Sequence, residues 1–444
     1  VNRNDRSIVA LVMLAHGMVH TYELSIPIFV SIWLVEFETV SLGATQVEVT
    51  AATLGLIVTA GYGLFGVGAL PGGILVDRVG SRRLIGLCLF GMSGSFLLLG
   101  FAPGLLTVTL ALLLWGAAAS VYHPAGLSLI SKGVEERGTG FAYHGIAGNV
   151  GIGLGPLFTA VLLLFFDWQT VAGLLAVPAL VAGAYATRAR FDETAAVAAD
   201  GGGDSKADGG VDSLSEFVAE SKHLFAGGFA VVFLVVMCSG LYYRGVLTFL
   251  PNLLDGISTF RPIPLASFLP PGVADVLGVD AESGGTLQPE RYFYSGLLIV
   301  GVVGQYVGGK LTDRVPVEWG IVGAFGVLAT LALVFLPVAN AGLLPLLALG
   351  ATLGCALFVI QPFYQATVAD YSPPGTRGLS YGFTYLGVFG VGALGGAVAG
   401  VILTYGTPAV LFLTLAGFAL AGAGLGLYLV RRRGRGSGSG TTAD

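Results

Sequence analysis

Apolar residues dominate long runs of the chain, and short polar segments punctuate them. Residues 84–131, 319–369 and 378–430 contain no Asp, Glu, Lys or Arg. One helical bilayer crossing takes about 20 apolar residues, so each run holds two crossings and a turn. The pattern predicts twelve spans, near 8–35, 46–76, 84–101, 105–131, 139–166, 169–187, 224–250, 292–309, 318–338, 342–368, 379–405 and 408–430. Helices are expected because every backbone group in lipid must find its partner internally. The strands of an outer-membrane barrel would instead be about 10 residues long and alternate in polarity.

Composition narrows the class further. The 444 residues are 55% hydrophobic and 11% charged, with a mean hydropathy of +0.84. A soluble domain carries roughly 25% charge, so a soluble enzyme, a disordered chain and a nucleic-acid binder are excluded. The three cysteines, Cys88, Cys238 and Cys355, stand alone in apolar runs and read as core residues. The opening VNRNDRS leads into a stretch longer than a signal-peptide core, so it reads as a retained first span. With the N-terminus inside, 18 basic residues fall in inner segments and two, Arg261 and Arg291, in outer ones. The positive-inside rule therefore puts both termini in the cytoplasm of a multi-pass cytoplasmic-membrane protein.

The expected organisation is an N-terminal six-helix bundle (1–187), a Gly/Asp-rich cytoplasmic linker (188–223) and a C-terminal six-helix bundle (224–430). An outer loop (251–291) interrupts the second bundle, and a cytoplasmic tail (431–444) follows it. The halves echo each other. Asp77-Arg78-Val79 matches Asp313-Arg314-Val315, His123-Pro124 matches Gln361-Pro362, and Arg137-Gly138 matches Arg377-Gly378, at offsets of 236, 238 and 240. Tyr22-Glu23 matches Tyr243-Arg244 at 221, a smaller offset because the pair precedes the outer loop. Such repeats are expected of transporters built from two related halves.

With these motifs the chain resembles the major facilitator superfamily. The loop holding Gly73, Asp77, Arg78, Gly80, Arg82 and Arg83 is similar to that family's signature between helices two and three, and Asp313-Arg314 to its degenerate copy. Gly80 permits a tight turn, Asp77 can sit against a helix N-terminus, and the arginines can pair with Glu135 or Glu136. The resemblance implies a latch between the halves on the cytoplasmic side. Gly151, Gly155 and Pro156 resemble the glycine-proline motif of proton-coupled drug exporters, where small residues let helices approach. YHPAG and HGIAGNVG are similar to fosmidomycin-resistance-like exporters. Those proton-coupled relatives commonly carry an arginine in the fourth helix, and residues 105–131 hold none. The usual proton relay therefore does not transfer.

Ionisable side chains at membrane depth are costly and mark function. His16, His20 and Glu23 recur at i, i+4 and i+7, which puts them on one helical stripe. Together with Arg244 and His123 they are the expected proton-coupling and gating groups. Arg244 either faces Glu23 across the substrate path or snorkels outward. Tyr22, Tyr243, His144, Asn149, Gln361, Tyr364, Gln365, Tyr385 and again Arg244 are the expected substrate contacts, with Tyr143 and Tyr381 as further lining candidates. The reading is an all-α transporter of a small amphiphilic or anionic molecule, coupled to protons and acting in export. Uptake of an organic anion is the alternative. An intramembrane metalloenzyme built on the histidines is a distant one, and the reading includes no enzyme activity, cofactor, metal or nucleic acid. The partners are the substrate, protons and the bilayer, and the expected state is a monomer.

Overall fold

The computed structural model describes residues 2–42, 45–199, 214–257, 259–268, 272–273, 286–373 and 376–438. The N-terminal bundle opens with α1 (Arg3–Glu36), whose first turn is capped by the Asn2 side chain. α2 (Ala51–Val67) and α3 (Ala69–Val79) form one crossing bent by 47°. α4 (Ser81–Gly100) follows, and α5 (Leu105–Ala119) with α6 (Tyr122–Gly133) forms the next crossing. α7 (Arg137–Leu162) and α8 (Trp168–Arg188) complete this half. The short α9 (Ala195–Ala199) and α10 (Leu214–Phe225) lie in the connection.

The C-terminal bundle contains α11 (Phe229–Leu247), a short α12 (Leu250–Asp255), α13 (Pro289–Thr312), α14 (Val317–Ala339) and α15 (Leu343–Tyr371). α16 (Arg377–Tyr385) runs through a π-helical stretch (Leu386–Val391) into α17 (Leu394–Tyr405), and α18 (Pro408–Gly438) ends the described chain. Among the described residues ten spans are long and apolar enough to cross a membrane, and the bent α2–α3 pair is an eleventh. α13 stands where the eighth expected span lies and falls just short of that hydropathy. Its 24 residues span roughly 36 Å at 1.5 Å each, and Gln305 with the tyrosines and glycines of its core lowers its hydropathy.

Glycine fixes how closely the helices pack. A Cβ on Gly151 would overlap the Gly17 carbonyl, and one on Gly155 would come within 2.6 Å of the Thr21 Cα, so α1 and α7 lie nearly backbone to backbone. Pro156 sits inside α7 and is buried. Across the bundles α2 packs on α17 and the π-helical stretch, and α7 packs on α13. Gly66 meets the backbone of Gly390 at the first of these contacts.

Several boundaries differ from the sequence expectation. The second span starts at Ala51, because Thr39–Leu42 and Thr45–Glu48 pair as an antiparallel hairpin and Thr50 caps the helix. The fifth ends at Leu162, where Asp167 caps the following helix by accepting from the Thr170 N–H at 2.7 Å. The outer loop is shorter than 251–291, since α12 and the start of α13 take both its ends. The linker carries two helical pieces, while residues 200–213 lie outside the described ones. The expected tail begins as a helix, with Arg431–Arg433 still in α18.

Candidate functional site

Between the bundles lies a cavity of about 1210 Å³. Asp77, Lys132 and Arg137 line one end, where the basic loops gather, and Glu23 lines the other. Beyond Glu23 the first helix is packed shut, with Ile26, Ile28, Phe29, Val30 and Trp33 all buried. The cavity therefore opens toward the basic face and is blind at mid-helix.

The i, i+4, i+7 stripe of α1 forms that blind end. Glu23 accepts from the Arg244 guanidinium through one carboxylate oxygen and faces His20 Nδ1 at 2.5 Å through the other. His20 Nε2 lies 3.0 Å from His16 Nε2, and His16 Nδ1 donates to the His144 carbonyl at 2.7 Å. The His144 ring stacks on His16 at 3.8 Å. His123, on α6, stacks on Tyr385 of the other bundle at 4.6 Å. Glu23 and Arg244 are each 1% exposed. A buried pair of this kind is held by mutual attraction, and removing one partner leaves the other charged and unsolvated.

Arg244 does not snorkel. Its guanidinium lies 3.7 Å from the centre of the Tyr62 ring and 5.5 Å from that of Tyr243. The Tyr62 hydroxyl also donates to the Glu23 backbone carbonyl at 2.5 Å. That carbonyl needs a donor because Pro27, four residues on, has no N–H to offer it. Tyr62 escaped the sequence reading, although Pro27 placed four residues after Glu23 was the available signal.

The other expected contacts divide. His144, Asn149, Tyr243, Gln361, Tyr364, Gln365, Tyr381 and Tyr385 line the cavity with His16, His20, Glu23 and His123. Arg244 lies behind Glu23 and is not on the cavity wall. Tyr22 points away from it: its hydroxyl donates to the Leu175 carbonyl at 2.6 Å and its ring stacks on Phe96 at 3.9 Å. Odd placement on the helical wheel explains this, since Tyr22 sits about 100° from Glu23. Tyr143 is exposed and also off the wall. Gln305, which the sequence reading overlooked, lines the cavity with a buried Oε1 that has no hydrogen-bond partner among the described residues.

The basic loop is built differently from its expected pairing. Gly80 joins α3 to α4 at φ +88°, a conformation that favours glycine. Asp77 pairs with Lys132 at 3.1 Å instead of sitting at a helix N-terminus. Glu193 takes that place, accepting from the Ser81 N–H at 2.9 Å. Arg82 donates to the Ala189 carbonyl at 2.7 Å. Gly73 lines the cavity, while Arg78, Arg83, Asp313 and Arg314 are exposed. α3 packs on α16, so this corner touches the other bundle. Another buried carboxylate on this face, Glu318, accepts from Arg433 at 2.9 Å and from Tyr371 at 3.0 Å.

Comparison with known proteins agrees with this architecture. The family model described as Major Facilitator Superfamily matches residues 8–262 and 263–443. The uncharacterized MFS-type transporter YfnC of Bacillus subtilis (strain 168) is 25% identical over 334 residues, 72% of this chain and 71% of that protein. The fosmidomycin resistance protein of Escherichia coli (strain K12) is 24% identical over 349 residues, 76% of this chain and 74% of that one. The crystal structure of the nucleoside transporter NupG superposes with a TM-score of 0.68 at 13% identity, covering 97% of this chain and 99% of that one.

Proposed function

The chain belongs to the major facilitator superfamily of membrane transporters, and on that premise we propose that it exports a small amphiphilic or anionic compound in exchange for protons. The observation that carries the reading is the buried Glu23–Arg244 pair. It joins α1 of one bundle to α11 of the other at the blind end of the cavity, so α1 and α11 part only when the pair separates.

Coupling follows from competition for one guanidinium. While the cavity opens to the basic face, Glu23 and Arg244 are paired, and any proton that Glu23 carried leaves to that side as the pair forms. An anionic group entering past Lys132 and Arg137 meets Glu23 first, competes with it for the Arg244 behind it and displaces it, so α1 and α11 separate. Glu23, now facing the opposite side, takes up a proton. When Arg244 pairs with it again, the proton leaves on the basic side. Cargo moves one way and protons the other.

The amides and phenols of Gln361, Gln365, Tyr364 and Tyr385 would orient the cargo, and apolar neighbours such as Ile152 and Leu357 would receive its hydrocarbon part. The likeness to a fosmidomycin resistance protein supports export. We place both termini and the basic face in the cytoplasm of a monomeric carrier in the cytoplasmic membrane, on the distribution of basic residues. A thermal-shift screen supplies cargo candidates, because a ligand of the native state raises its melting temperature. Proteoliposomes with an imposed proton gradient then test direction. Cargo moving against the proton flow is expected; movement with it, or indifference to the gradient, refutes the reading.

A further inference from the structure

Two imidazoles meet nitrogen to nitrogen at the blind end of the cavity. His16 Nδ1 faces the His144 carbonyl at 2.7 Å, and His20 Nδ1 faces the Glu23 carboxylate at 2.5 Å. A carbonyl and an ionised carboxylate only accept, so both Nδ1 atoms carry the hydrogen. In a neutral ring the remaining nitrogen is then a bare lone pair. Yet His16 Nε2 and His20 Nε2 approach to 3.0 Å, a contact that requires either a shared proton or a metal ion between them. His123 adds a third donor: one ligand atom from each of the three histidines lies within 4.8 Å of the others. All three side chains are buried.

We propose that His16, His20 and His123 bind a borderline-soft divalent cation, with Zn²⁺ as the type ion. A tetrahedral ion bonded at ~2.0–2.1 Å to each nitrogen sets donors ~3.4 Å apart. The Nε2 atoms of His16 and His20 are 3.0 Å apart and the ligand atom of His123 lies within 4.8 Å of both, so small side-chain rotations would bring the three donors to that spacing. The outer partners suit ligation as well. A ligating histidine characteristically donates its second N–H to a carboxylate or a backbone carbonyl, which fixes its tautomer and orientation. Glu23 and the His144 carbonyl do this here. Three nitrogen donors disfavour Mg²⁺ and Ca²⁺, which take oxygen ligands, and suit Zn²⁺, Co²⁺, Ni²⁺ or Cu²⁺. Since all three residues line the cavity, a fourth position would be open to water or to an anionic group of a molecule in it. The site rests on the histidine geometry and not on the direction or coupling of transport.

The test is a Co²⁺ titration of the full chain, purified in detergent without a histidine tag, with Zn²⁺ as competitor. The expected result is the intense visible absorption of tetrahedral Co²⁺, saturating at one equivalent and abolished by equimolar Zn²⁺. His20→Gln and His123→Gln should each weaken binding beyond the ~10–100-fold typical of losing an outer partner. His223→Gln, on the exposed face of α10, should leave it unchanged. The melting temperature of each metal-free variant identifies one that has failed to fold. For that case, zinc-edge X-ray absorption of the wild type is decisive, and three imidazole nitrogens are expected in the first shell. No tetrahedral Co²⁺ spectrum, binding that survives in His16→Gln/His20→Gln, or a shell of oxygens alone overturns the site and leaves a shared proton between the two Nε2 atoms.

Discussion

Glu23 is held from three sides, by Arg244 and His20 at its carboxylate and by Tyr62 at its backbone carbonyl. Each contact gives a separate prediction. Arg244→Met leaves a buried, unpaired carboxylate and should destabilise the protein by about 3–5 kcal/mol, the range for breaking a buried pair. Neutralising both partners, as Glu23→Gln with Arg244→Met, should recover part of that loss in thermal unfolding. Tyr62→Phe should cost about 1–3 kcal/mol, because the Glu23 carbonyl loses its donor. The same substitution should cost less in a Pro27→Ala background, where the helix supplies an N–H of its own. An equal cost in both backgrounds would break the link between Pro27 and Tyr62. At this scale the sequence reading went as far as helical periodicity reaches. His16, His20 and Glu23 share a stripe that spacing alone reveals. The meeting of Glu23 with Arg244 depends on how two bundles dock, and the repeat could only suggest it. Tyr22 was misplaced because adjacency to Glu23 in sequence is not adjacency on a helix.

Between helices, small residues decide what can approach. Gly151→Val should destabilise by about 1–3 kcal/mol, the cost of overpacking, because its side chain would enter the backbone of α1. Gly145→Ala, six residues earlier on α7, is the control. A Cβ there meets nothing within 4 Å, so better helix propensity should stabilise by up to about 1 kcal/mol. Equal effects of the two in thermal unfolding would contradict the packing account. Most spans were legible because lipid excludes charge, and uncharged runs are visible without any structure. The pairing of Thr39–Leu42 with Thr45–Glu48 was not, since Val40 and Val47 are as apolar in a strand as in a helix. Nor was the 47° bend between α2 and α3, which hydropathy does not register. The helical course of Arg431–Arg433 was hidden for the opposite reason: charge ends a membrane span but not a helix.

At the scale of the whole molecule, the two halves meet along α2 with α17 and α7 with α13, and Glu23–Arg244 is the ion pair between their first helices. The Asp77–Arg78 and Asp313–Arg314 echoes revealed the repeat, but the surroundings of the two copies have diverged. Asp77 pairs with Lys132, whereas Asp313 caps the end of α13 and is exposed. An exposed bridge like Asp77–Lys132 contributes at most about 1 kcal/mol, so Asp77→Asn should barely change the melting temperature. If the loop is a latch, that variant should instead alter the balance between open and closed cavities. The buried pair dominates that balance. Phe101 and Tyr405, both 82% exposed, end α4 and α17 on the side opposite the basic loops, one in each bundle. Spin labels at Phe101→Cys and Tyr405→Cys, read by pulsed electron resonance in lipid nanodiscs, measure the opening of that side without needing the cargo. The account predicts a single distance population when Glu23 and Arg244 are intact, and a second, longer population in Glu23→Gln and in Arg244→Gln. An unchanged distribution in both variants would contradict the claim that this pair holds the far side shut.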